Sequence, residues 1–442
     1  MSSHFTKLSQ RGAASLIVVM VLFFVLSLVA AYTGRNLVFE QRTSVNQFRA
    51  TQALEAAEAG VEWALAMLNS GRINSTCLQA GATSTNTSFR QRYLNIDQTS
   101  GAITARLTSP GNDLLMPSCV FNGTDWVCSC PENSAPSLSP PTGTGVFPAF
   151  RIRFRSDTVN ATSPGVIQIE SQGCTRLDVR CLNFPATAIE SEGRALVTVY
   201  LALKPAIATR PAAAVTVVGN LDPLTRVTAT NTEADRGGLA LHVGNPSAAV
   251  INVADPRFVL RGPPGTPASA LTVIGDSALT GLQDVSDRVF PVMLGTRSLI
   301  YRDQPAAIRF NCPVTGCRDA LAIAVSLNPG RIFWIAGDLT LESAGNIGSL
   351  PDPGNSSVAG PAMLVVEGRF RNTGNARVFG YVYTRPAAVW SGGGDIQGAA
   401  FVEGNLGATA NLNVTVVGSV LDAMRNTHGS FVRIPGSWKD FQ

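Results

Sequence analysis

From Ala13 to Ala31 the chain carries no charged residue, and only Ser15 and Ser27 are polar. A helix over this run, at 1.5 Å per residue, covers about 28 Å, close to the ~30 Å hydrocarbon core of a bilayer. Leu16, Ile17, Val21, Phe24 and Leu28 are the expected anchor residues of this span. Lys7 and Arg11 precede it, and the first acid is Glu40. The positive-inside rule therefore predicts a cytoplasmic N-terminus and an exported body. Arg35 and Arg42 mildly oppose that orientation, but they lie on the continuing helix. The competing reading is a cleaved secretory signal, for which Ala30, Ala31 and Tyr32 offer a site. The run is long for such a signal, and the helical pattern does not stop there.

The pattern then changes from uniform to striped. Between Leu37 and Leu68 there is no proline and one glycine, Gly60. Ala50, Leu54, Ala57, Val61, Leu65 and Leu68 recur at spacings of three and four, which is one face of a helix. Asn69, Ser70 and Gly71 end the pattern, with Gly71 suited to a left-handed helix stop. Residues 13–70 thus predict a rod of about 85 Å. Its first third suits lipid, and the stripe on its last third needs a partner such as an antiparallel sheet.

Beyond the rod the periodicity shortens. Residues 71–146 are rich in Ser, Thr, Asn and Gly, and Pro131 to Pro148 reads as a loop. Apolar and arginine residues alternate from Phe150 to Arg155, and residues 166–170 and 194–203 also read as strands. From about residue 206 a short unit recurs at Val217–Leu221, Ile335–Leu339, Val366–Phe370 and Val402–Leu406. Each is an apolar strand end, a Gly turn and a further apolar residue. Phe379 to Arg385 fits between the last two without the glycine. A spacing of roughly 17–19 residues predicts one β-solenoid coil per unit. A β-sandwich with Gly-containing turns is the alternative. The expected fold class is therefore α+β: a long N-terminal helix on an antiparallel β-sheet head, then a large all-β C-terminal domain, solenoid-like. The expected segments are a leader over 1–12, the helix over 13–70 with its membrane part at 13–31, a head over 71–205 with Cys-rich loops, and a β-rich domain over 206–442.

A short basic leader ending in Gly, an apolar start and an amphipathic continuation resemble the layout of type IV pilins. Gln10, Arg11, Gly12 and Ala13 look like a prepilin peptidase site, with cleavage between Gly12 and Ala13. Gln52 to Gly60 is similar to the end of the helix in PilX-type minor pilins and in K-type minor pseudopilins of type II secretion. Ile167–Gly173, Gly193–Leu203 and Pro435–Phe441 also resemble this family, more weakly. Two positions depart from the major-pilin pattern. The first mature residue would be Ala13 rather than Phe or Met, and the fifth is Ile17 where major pilins carry Glu. A carboxylate in lipid is costly and seeks a cationic partner, the amino terminus of the neighbouring subunit. The resemblance therefore implies a priming or tip subunit rather than a shaft subunit.

It further implies, as partners, other minor pilins, the major pilin, a PilY-type tip adhesin, prepilin peptidase and the inner membrane. The implied location is the inner membrane with a periplasmic C-terminal domain, then the pilus tip at the cell surface. A K-like pseudopilin of a type II secretion system is one alternative. A membrane-tethered carbohydrate-binding or carbohydrate-cleaving protein is another, of a different class.

The chemistry of the remaining residues changes this picture little. The net charge of +4 is small for 442 residues, and the basic residues are scattered, so no nucleic-acid partner is expected. Cys77, Cys119, Cys128, Cys130, Cys174, Cys181, Cys312 and Cys317 all follow the span, an even number in a compartment expected to be oxidising. Cys174 with Cys181 and Cys312 with Cys317 are the expected local pairs; the order of the other four stays open. A zinc site at Cys119, Cys128 and Cys130 has poor spacing and no nearby histidine. His4, His242 and His428 are the only histidines, and no Gly-x-Ser-x-Gly, His-Glu-x-x-His or phosphate-loop pattern occurs. The chain is accordingly expected to be no enzyme and to need no cofactor. Calcium enters only through the likeness to K-type pseudopilins, with Asp276, Asp284, Asp287 and Asp352 as candidate donors.

Overall fold

The structure is a computed structural model. It describes residues 11–81, 84, 86–106, 115–133, 135–143, 146–156, 164–177, 193–234, 237–245, 255–282, 287–352, 359–385 and 390–440, without the side chains of 11–14 and 408–410. Helix α1, Arg11–Leu68, is continuous over 58 residues. No proline interrupts it, and the apolar run and the striped run both suit a helix. Gly71 is not left-handed, contrary to the expected stop. A Cβ there would lie 2.5 Å from both the Leu327 carbonyl and Asn328 Oδ1, so the glycine permits a close approach instead.

The head follows as α2 (Phe89–Tyr93), β1 (Leu94–Ile96), β2 (Ile103–Ala105), β3 (Ser118–Phe121), β4 (Trp126–Ser129), β5 (Ala149–Arg155), β6 (Val166–Cys174) and β7 (Arg194–Pro205). β1 and β2 form a separate hairpin. On β5, Phe150, Ile152 and Phe154 point to α1, and the intervening arginines point away. Arg153 and Arg155 both bond Glu170 of β6 on that outer face, at 2.7 and 2.9 Å.

The second body comprises β8 (Ala213–Val217), β9 (Arg226–Thr230), β10 (Leu239–Val243), β11 (Phe258–Arg261), β12 (Thr272–Ile274), α3 (Ser277–Thr280), α4 (Val289–Leu294), α5 (Ser298–Arg302), β13 (Ala307–Phe310), α6 (Cys317–Leu327), β14 (Ile332–Ile335), β15 (Leu339–Leu341), β16 (Gly345–Ile347), β17 (Ala362–Val366), β18 (Phe370–Asn372), β19 (Ala376–Thr384), β20 (Trp390–Val402), β21 (Leu406–Thr415) and α7 (Gly418–Asn426). Among the described residues its strands form one 14-stranded sheet, and the strands pair in parallel. Val366 pairs with Thr384, Thr384 with Val402, and Val402 with Val217. The recurring sequence unit thus marks equivalent corners stacked on one another. The isolated early instance at 217 sits directly on the one at 402. The Asn220 amide donates to Asn405 Oδ1 at 2.7 Å across a separation of 185 residues.

The last strand, β22 (Gly429–Arg433), does not join this body. It pairs antiparallel with β7 and completes a head sheet ordered β22-β7-β6-β5-β3-β4. The expected C-terminal domain over 206–442 is corrected accordingly. The chain leaves the head after Pro205, and its C-terminal segment returns to close the head's edge.

Candidate assembly interface

Side chains 15–48 of α1 are all exposed. Leu16, Ile17, Val21, Phe24 and Leu28 form an apolar surface with no partner among the described residues; Ile17 is 61% exposed. This helix is long and apolar enough to cross a membrane. Gly12 and Ala13 lie on α1, and their side chains fall outside the described residues.

The second half of α1 rests on the head sheet. Ala57, Val61 and Leu68 are buried, while Leu54 and Leu65 lie half-buried at the rim. The centre of the contact is a row of small residues, Ala53, Ala57, Gly60 and Ala64, of which the apolar stripe includes only Ala57. A Cβ on Gly60 would meet Ser171 Oγ at 2.3 Å and the Phe150 ring at 2.9 Å. On the sheet side, a Cβ on Gly173 would meet the Ala53 carbonyl at 2.1 Å. One on Gly193 would meet the Arg49 carbonyl at 2.3 Å. Helix and sheet therefore touch backbone to backbone, and the glycines on both sides allow it. The spacing 53, 57, 60, 64 was the available signal.

The rod ends in a polar joint. Asn69 Nδ2 donates to the Phe431 carbonyl at 3.0 Å, and the Phe431 amide returns a bond to Asn69 Oδ1 at 2.8 Å. These bonds fasten the helix end to β22, and Arg433 of that strand pairs with Glu62 of α1. Arg90 of α2 is fully buried beneath them. Its Nε donates to the Leu68 carbonyl (2.9 Å), Nη1 to Gly330 and Thr427 (3.3 and 3.2 Å), and Nη2 to Gly429 (3.0 Å). Its guanidinium also lies 5.2 Å from the centre of the Phe431 ring. Four carbonyls from the rod, the second body and the returning strand thus converge on one side chain. Burial, with Arg331 nearby, pushes its pKa down to about 9. This segment falls in the stretch 71–146, rich in Ser, Thr, Asn and Gly, where the sequence pattern predicts no helix. The signal was Ser88 followed by Gln91, which form a capping box at the start of α2.

A cleft of about 840 Å³ opens beside Arg90, between the β1–β2 hairpin and α7. His428 lines it and is itself buried, with Nε2 2.8 Å from the Pro361 carbonyl and Nδ1 3.1 Å from that of Ala423. Burial, and secondarily the charge of Arg90, lowers its pKa to about 4.

Cys77 is bonded to Cys130, Cys119 to Cys128 and Cys312 to Cys317. The first two pairings supply the order that spacing had left open. Cys119 and Cys128 are register partners on β3 and β4. Cys174 is disulfide-bonded as well; Cys181 lies outside the described residues. The candidate calcium donors have separate roles. Asp276 caps α3 and accepts a bond from the Ala278 amide, with its other oxygen 2.9 Å from His242 Nε2. Asp287 pairs with Arg385 at 3.2 Å and accepts the Ser298 amide at 2.8 Å. Asp352 lines the cleft, and Asp284 lies outside the described residues. Among the described residues no three His, Cys, Asp or Glu side chains are grouped to hold a metal ion.

The helix thus combines an exposed apolar first half with a second half packed on an antiparallel sheet. The family described as PilX N-terminal matches residues 11–62, which is this helix almost to its end. Among solved structures, the competence-associated pilin ComZ from Thermus thermophilus is similar at 10% identity, over 89% of this chain and 97% of that one. Its TM-score of 0.22 is too low to bear on function. Among curated protein sequences none matches.

Proposed function

We propose that the chain is a minor pilin that takes part in type IV pilus assembly, primes the filament and stays at or near its tip. The observation that carries this is α1 itself. Its apolar half is exposed with no partner among the described residues, while its other half is held by the head. Apolar surface of that extent is costly in water at about 25 cal/mol per Å². It needs lipid first and other helices afterwards. The match of residues 11–62 to the PilX N-terminal family supports a pilus as the place where those helices are found.

In this reading prepilin peptidase cuts between Gly12 and Ala13. The span 13–31 holds the protein in the inner membrane, with the head in the periplasm. α1 then packs with the helices of other minor pilins and of the major pilin. Ile17 offers no carboxylate to a neighbouring amino terminus, which favours a terminal over a repeating position. The parallel stack, read as a β-solenoid, is carried outward to meet other minor pilins, a PilY-type adhesin or a surface. No catalytic role and no cofactor enter this reading. Deletion of the gene is expected to abolish surface pili, counted by electron microscopy. Unchanged piliation contradicts a priming role.

A further inference from the structure

Pro205 and Gly429 are register partners on β7 and β22. One step beyond them the Ala206 amide donates to the His428 carbonyl at 2.9 Å. About half of the 442 residues thus lie between two points one hydrogen bond apart. The apolar cores divide at the same place. Buried members of the larger core run from Ala206 to Met424. The head core draws on Ala57 to Leu203, then on Phe431. The link between the two cores is polar. Arg72 Nε donates to the Ser326 carbonyl at 2.6 Å, and its amide to that of Leu327 at 2.7 Å. Asn426 Nδ2 reaches the carbonyls of Gln98 and Thr99 at 2.7 and 2.9 Å, and Arg90 bonds carbonyls on both sides. A separate core with adjacent ends and a polar boundary is the mark of an inserted domain.

We propose that residues 207–427 are a self-folding module spliced into the terminal hairpin of the head, and that filament assembly does not need it. The second half of this statement rests on the pilin reading above; the first half does not. β7 and β22 already face each other in register, so two residues such as Asn-Gly suffice to join them. Arg90 would then lose the Gly330 and Thr427 carbonyls but keep those of Leu68 and Gly429.

The full chain in detergent micelles supplies the first test. Hydrogen exchange read by mass spectrometry across a urea series should show two separate losses of protection. One covers β5 to β7 with β22, and the other covers β14 to β21. Tryptophan fluorescence should divide in the same way, with Trp63, Trp126 and Trp438 outside the insert and Trp334 and Trp390 within it. A single shared transition overturns the module. The second test is in cells, with 207–427 replaced by Asn-Gly. The shortened chain should accumulate, be processed and support surface pili without loss of number. Failure to accumulate overturns self-sufficiency of the head, and accumulation without pili overturns dispensability. Two transitions in the full chain, with piliation indifferent to gene deletion, would leave the module standing and remove only the pilin assignment.

Discussion

Arg90 carries more of the joint than any other side chain. Its guanidinium serves four carbonyls that have little access to water, and Arg90→Met withdraws that donor from all four, the Gly330 carbonyl keeping its bond from the Gly429 amide. We expect that substitution to cost about 3 kcal/mol in urea unfolding. Arg90→Lys should recover only part of the loss, because an ammonium cannot reproduce the planar fork. His428 makes the same region sensitive to acid. Its folded pKa of about 4 lies below the ordinary value of 6.5, so the native state prefers the neutral ring. The associated stability is complete above about pH 6.5 and is lost as pH falls toward 4. At most about 3 kcal/mol is at stake. In His428→Gln the urea midpoint should vary less between pH 7 and pH 4.5 than in the unmodified chain. Neither residue was legible beforehand. A buried arginine looks like any surface arginine in a sequence, and its acceptors come from four distant backbone positions.

Elements were more legible than their contacts. The exposed apolar run and the stripe on α1 follow from charge and periodicity, and the three main head strands follow from alternation at residues 150–155, 166–170 and 194–203. The face of α1 that seats on the sheet was only partly foreseen. Hydrophobicity ranks Leu54 and Leu65 above Ala53 and Gly60, yet backbone approach selects the small residues. Gly173→Ala puts a methyl group against the backbone of Ala53 and Ala57, which cannot swing aside. A loss of about 3 kcal/mol is expected, with α1 lifted off the sheet. Gly60→Ala meets a serine hydroxyl and an aromatic ring, which can shift, and should cost less. Thermal unfolding of the two variants checks the order.

At the scale of the molecule, the sequence period was visible where paired strands follow one another along the chain and hidden where they do not. The unit at Val217 stacks on that at Val402, and no local pattern can announce a pairing across that separation. The return of β22 to the head was hidden for the same reason. Common to all scales is α1, proposed above as the exposed, processed stem of a pilin. N-terminal sequencing of the protein recovered from cell membranes tests that most directly. A mature chain beginning at Ala13 is the predicted result. A chain beginning near Tyr32 would have lost its anchor, and with it the reading of this protein as a pilus subunit.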